Sequence, residues 1–186
     1  MEQPIFYTEW LPLEKKQFRI LALLAVLGEF NGSLSDMCRH FQMTVQSRNR
    51  NALRDSIKTL AAQNLLTSEQ SGRTYHLIPV PKEHEIRPLA DVTQAIMKHE
   101  YNSENVAWEQ VLKVYLWIFH NKKSIITDAE ISADLCTSSA TIGAAKNVLE
   151  KDLDIVNRRI RAIKLDDESF MRIGQTLETF AWWERT

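Results

Sequence analysis

Between Ser47 and Gln63 the side chains able to do chemistry fall on one stripe. Ser47, Arg50, Asn51, Arg54 and Lys58 succeed one another at three- or four-residue spacing, which places them on one helix face. Leu53, Ile57, Leu60 and Ala61 form a second, apolar stripe. The polar stripe carries the donors that base edges and phosphates accept. Arginine forks onto guanine O6 and N7, asparagine matches adenine N6 and N7, and lysine or serine holds phosphates. Arg48 lies one step aside, and Arg73, in a later Gly-containing loop, would sit beside the flanking backbone. A solvated helix face also carries charges, but Asp55 is the one counter-charge within this set. That bias favours contact with nucleic acid through Ser47, Arg48, Arg50, Asn51, Arg54, Lys58 and Arg73.

The elements that must hold this face follow from periodicity. Residues 13–30 repeat apolar side chains at Phe18, Leu21, Leu24, Ala25 and Leu27, which predicts a helix closed by Asn31-Gly32. Ser33 starts a second helix with Asp36 three positions on, an imperfect capping box because the partner is Asp rather than Glu. Met37 and Phe41 are its core contacts, and the apolar period lapses from Gln42 to Gln46, giving a turn. After the long third helix, β-prone stretches at 65–68 and 74–78 flank Gly72 and read as a hairpin.

The same order recurs further on. Thr127-Asp128-Ala129-Glu130 is a full capping box, and Thr127, Glu130 and Leu135 each lie 94 positions after Ser33, Asp36 and Phe41. Ile142 and Leu149 lie 89 positions after Leu53 and Leu60, so the first copy is longer by five residues. A strong helix at 106–120 precedes this copy, and residues 155–165 suggest a shorter second hairpin. The third helix of the second copy exposes Ala140, Thr141, Gly143, Ala144, Lys146 and Asn147, with one positive charge. Basic residues gather instead at Arg158, Arg159 and Arg161 in the second hairpin, where they reach phosphates or a minor groove, or are simply solvated. A last helix carries Phe170, Ile173, Leu177, Phe180, Trp182 and Trp183, which close the second core or form a homodimer surface.

Pro79, Pro81 and Pro88, among alternating charges, stop regular structure and mark a linker ending in a short helix. The expected domains are therefore residues 1–80, a linker 81–105 and residues 106–186. The net charge of −1 divides unevenly: residues 1–80 hold 9 basic against 7 acidic side chains, residues 81–186 hold 14 against 17, and residues 31–80 hold 6 against 3. The positive charge thus sits on the first copy.

Other chemistry finds little support. There is no GxxxxGK[ST], GxGxxG or GxSxG, and the five His show no ligand spacing, so neither an enzyme, a cofactor nor a metal site is expected. Cys38 and Cys136 each read as a buried thiol in a helical core. The start Met-Glu-Gln-Pro lacks the pattern of a signal peptide, and the longest apolar run, 20–27, is far short of the roughly 20 residues a membrane span needs. The expected location is cytoplasmic or nucleoid-associated.

Helix, helix, helix and hairpin in that order resemble the winged helix-turn-helix superfamily, twice in tandem over about 13–79 and 106–165. The expected fold class is therefore mainly α with small β-hairpin wings, in two tandem winged helix-turn-helix domains. The resemblance implies sequence-specific, non-catalytic binding of double-stranded DNA, as in transcription regulators or in the replication proteins of plasmids and other mobile elements. Tandem winged helices are similar also to accessory subunits of condensin-like complexes, which implies the alternative of a protein-interaction adaptor with little sequence-specific DNA readout.

Overall fold

The computed structural model describes residues 3–99, 106–121 and 127–151. Among these are seven α-helices and two small antiparallel sheets. The chain divides into two compact units, with the boundary between Ala90 and Asp91.

In the first unit, α1 (Lys15–Leu27) buries Phe18, Ile20, Leu21, Ala22, Leu23 and Leu24. It stops at Gly28, whose φ of 81° lies where a side chain is strained, and the Gly28 N–H donates back to the Leu24 carbonyl at 2.8 Å. The helix therefore ends earlier than its periodicity predicts. Asn31 and Gly32 do not cap it; they belong to β2 (Phe30–Ser33). That strand pairs with β4 (Thr74–Pro79), Phe30 facing Leu77, and β4 pairs in turn with β3 (Leu66–Ser71). The expected two-stranded hairpin is thus two-thirds of a three-stranded sheet in the order β2-β4-β3.

Ser33 ends β2 and caps α2 (Leu34–His40). The Asp36 N–H donates to Ser33 Oγ at 3.2 Å, and the Ser33 N–H donates to Asp36 Oδ2 at 2.9 Å. The box is complete, so the shorter Asp side chain suffices where a Glu is usual. The hydroxyl and backbone N–H of Ser33, with help from Arg39, hold the Asp36 carboxyl below the usual carboxylate range. Next comes α3 (Ser47–Ala62), which buries Leu53, Ile57 and Leu60 of the apolar stripe read from sequence and leaves its fourth member, Ala61, half-buried. α1, α2 and β3 all pack on α3, and α1 also packs on β4. The core lies between α1, α3 and the sheet.

The expected linker begins with ordered structure. Glu85–Ile86 forms β5, antiparallel to β1 (Phe6–Tyr7), with Phe6 opposite Ile86. The Thr8 N–H donates to the His84 carbonyl at 3.1 Å, and Gln3 Nε2 donates to the carbonyls of Arg87 and Pro88 at 2.9 and 3.2 Å. Trp10 stacks edge-on against Phe6 and Tyr7 beneath this clasp, fully buried. Proline punctuation does mark the segment, but none falls inside β5, so its backbone stays able to pair.

The boundary falls after the first residue of α4 (Ala90–Met97), and the second unit continues with α5 (Trp108–Asn121), α6 (Asp128–Leu135) and α7 (Ser139–Lys151). α5 packs on α6 and α7, and α6 packs on α7. Every residue of α5 from Trp108 to Ile118 is buried except Gln110. Thr127 and Glu130 cap α6 as Ser33 and Asp36 cap α2. Residues 155–165 and the expected last helix, with Arg158, Arg159, Arg161, Phe170, Ile173, Leu177, Phe180, Trp182 and Trp183, lie outside the described residues. No helix among the described residues is long and apolar enough to cross a membrane.

Candidate nucleic-acid interface

The N-terminal half of α3 is fixed from two sides. In the preceding turn, Gln42 adopts a φ of 53° and the Met43 N–H donates to the Cys38 carbonyl at 2.8 Å. Asn49 Nδ2 then ties the first turn of α3 back to it, donating to the Thr44 carbonyl at 2.8 Å and to Thr44 Oγ1 at 3.1 Å. From α1, the Arg19 guanidinium lies over the Phe41 ring and reaches Met43 Sδ. The turn is therefore clamped although no side chain caps α3 itself.

The β3–β4 hairpin supplies the opposite wall. Ser71 pairs with Thr74, leaving a two-residue loop of Gly72 and Arg73. Gly72 takes a φ of 60° and Arg73 keeps a negative one, the type II′ pattern that matches strand twist and demands Gly first. Gln70 Nε2 donates to the Gly72 carbonyl at 2.9 Å and stiffens the tip. The loop thus aims Arg73 rather than merely carrying it.

Between α3 and this hairpin is a cleft of about 560 Å³. α3 contributes Ser47, Arg50, Asn51 and Arg54; the hairpin contributes Gln70, Gly72, Arg73 and Tyr75; Ser33, Leu34 and Ser35 close one end. Three guanidiniums line the cleft and no carboxylate does. Arg50 Nη2 donates to Ser47 Oγ at 3.3 Å, and Arg54 Nη1 donates to Asn51 Oδ1 at 2.9 Å. Both partners are neutral, so neither cation is offset. Among the described residues Arg73 makes no hydrogen bond or ion pair.

Of the residues singled out in the sequence, Ser47, Arg50, Asn51, Arg54 and Arg73 come together here. Arg48 and Lys58 are exposed on α3 but outside the lining. Ser35, Gln70 and Tyr75 were not anticipated. Gln70 and Tyr75 face each other across the hairpin, a pairing that follows once Gly72 is placed at the first loop position.

The corresponding surface of the second unit differs. Lys146, the one positive charge expected on the outer face of α7, is 0% exposed, and its Nζ donates to Asp128 Oδ1 at 2.5 Å. Ala140 and Asn147 are exposed, Thr141, Gly143 and Ala144 half-buried, and the first exposed cation of the helix is Lys151 at its last turn. On α6 the exposed groups include Glu130 and Asp134. Lys113 of α5 is also buried, and desolvation, outweighing the nearby Cys136 and Glu109, brings its pKa down to about 8.

Cys38 is buried as expected, and burial pushes its thiol up. Cys136 is not: it is exposed, with a φ of 49° where α6 ends, so it punctuates the helix instead of filling a core. Among the described residues no three His, Cys, Asp or Glu side chains gather as a metal site would require. No protein-family model, no curated protein and no solved structure matches the chain.

Proposed function

We propose that the first unit is a winged helix that binds double-stranded DNA without catalysing a reaction, α3 entering the major groove and the β3–β4 tip contacting the flanking backbone. One observation carries this reading: Arg50, Arg54 and Arg73 converge on one cleft that holds no carboxylate. Three like charges brought together repel one another, and an external polyanion relieves that cost. The dimensions agree, because a major groove about 12 Å wide admits one α-helix. Arg48 and Lys58, exposed beside the cleft, add phosphate contacts. The role would be that of a transcription regulator or a replication protein of a mobile element, the classes the sequence resembles.

A second observation favours a different role for the second unit. With Lys146 turned inward, the outer face of α7 offers small residues and the Asn147 amide to a partner, with no cation before Lys151. A winged helix of that character suits self-association or the adaptor role better than base reading.

The test is fluorescence anisotropy of the full chain on a random-sequence duplex at low salt. The Arg50→Ala/Arg54→Ala/Arg73→Ala variant should bind at least about tenfold more weakly, and a Lys16→Ala control on α1 should match wild type. Equal binding by the triple variant would remove the cleft from the interface. Absence of binding by the wild-type chain would refute the DNA reading.

A further inference from the structure

Arg54 Nη1 donates to Asn51 Oδ1 at 2.9 Å, three residues back on the same face of α3. A hydrogen bond from a charged donor is about twice as strong as a neutral one. It engages the amide oxygen that adenine recognition requires, since asparagine reads adenine by accepting from N6 and donating to N7 together. An adenine amino group would have to approach that oxygen beside a guanidinium. Arg54, by contrast, loses little: a guanidinium has five N–H donors, one is spent on Asn51, and guanine needs two.

Arg50 repeats the arrangement one turn earlier, with Nη2 donating to Ser47 Oγ at 3.3 Å. Two braced arginines thus stand four residues apart on the cleft face. At 1.5 Å per residue their Cα atoms are separated by about 6 Å along the helix axis, and base pairs rise about 3.4 Å per step. The two forks are spaced for guanines on the order of two steps apart.

We propose that Asn51 is the positioning residue for Arg54 rather than a base reader, and that the cleft selects two guanines about two base-pair steps apart through Arg50 and Arg54. This rests on the DNA-binding reading of the same cleft and names what that cleft discriminates. Ser47 plays the bracing part for Arg50. Both braces cost nothing in charge, so they hold the guanidiniums without neutralising them. A carboxylate in either place would hold the arginine and cancel its attraction for DNA. Asn51 and Ser47 are exposed and lie outside the apolar stripe of α3, so replacing them leaves the core intact.

The experiment is selection from a duplex library with a randomised centre, sequencing the fraction retained by the full chain and by Asn51→Ala, Arg54→Ala and the double variant. Wild type should enrich two guanines about two steps apart. Asn51→Ala should keep both guanines but lower the preference at one of them by about threefold to tenfold, a part of the discrimination that one bidentate contact supplies. Arg54→Ala should abolish that same preference, and adding Asn51→Ala to it should change nothing further. Thermal melts of all four proteins should coincide, which separates positioning from loss of fold. An A·T pair enriched by wild type, lost in Asn51→Ala and kept in Arg54→Ala would make Asn51 a base reader and overturn the proposal. Retention of DNA with no sequence preference would overturn it while leaving the DNA-binding reading standing. Retention of no DNA by wild type would overturn both.

Discussion

Two helices of similar setting, α3 and α7, treat their cations in opposite ways. Each follows a short helix opened by a complete capping box, Ser33 with Asp36 in one unit and Thr127 with Glu130 in the other. Each buries an apolar pair seven residues apart, Leu53 with Leu60 and Ile142 with Leu149. α3 nevertheless turns Arg50 and Arg54 into an open cleft, whereas α7 turns Lys146 into the core against Asp128. The extra length of α3 lies at its N-terminal end. Six residues of α3 precede Leu53, against three of α7 before Ile142, so the added stretch is Ser47, Arg48 and Asn49, and Arg50 stands where α7 begins with Ser139. Two similarly capped pairs of helices thus differ in the orientation of a few charged side chains, and a charge count cannot see orientation.

The comparison can be broken most forcefully at Lys146. Removing one partner of a fully buried ion pair costs about 3–5 kcal/mol, and Asp128 is a third exposed, so Lys146→Ala should cost about 2 kcal/mol. Thermal denaturation should show that loss while DNA affinity stays within about twofold of wild type. A matching loss of DNA affinity would put α7 in the interface and erase the contrast.

The caps sharpen the likeness. Ser33→Ala and Thr127→Ala should each cost about 1 kcal/mol in chemical denaturation, because each leaves an N3 backbone N–H without its acceptor. The first should also lessen acid sensitivity. Asp36 is held below its ordinary pKa, so its contribution is present above the ordinary carboxylate range and is lost as pH falls through the lowered value. Markedly unequal costs would show that the two capped helices carry different loads.

The smallest effect belongs to Lys113. Its pKa of about 8 lies below the ordinary 10.5, so between those values the unfolded chain binds more protons and stability rises with pH. Over one pH unit around 8 the gain should be under about 1 kcal/mol, and Lys113→Met should abolish it in pH-dependent melts. A flat profile in the wild type would mean that the amine is solvated.

Local signals were legible and distant ones were not. The two stripes of α3, the Gly72 loop and the Thr127 box are written within a few residues, and the structure bears out those elements. The strand β2 was read instead as a helix cap, because Asn31-Gly32 has cap chemistry and its partner β4 lies more than forty residues away. β1 and β5 were missed for the same reason at greater separation. Lys146 escaped because a lysine on a helix surface and a lysine paired inside look alike until Asp128 is placed beside it. Of the candidate interface, residue types and helix face could be read. The convergence of Arg73 on Arg50 and Arg54 needed the hairpin's register and the positive φ of Gly72.

The decisive measurement is the salt dependence of duplex binding for the wild type, the Arg50→Ala/Arg54→Ala/Arg73→Ala variant and Lys146→Ala. Each phosphate neutralised contributes about −0.9 to the slope of log K against log salt. On a random-sequence duplex, where the three arginines meet phosphates rather than a selected pair of guanines, the wild-type slope should correspond to several such contacts, the triple-variant slope should be shallower by about 1 to 3, and the Lys146→Ala slope should equal wild type. Parallel lines for wild type and triple variant, or a shallower line for Lys146→Ala alone, would contradict the assignment of the interface to the first unit.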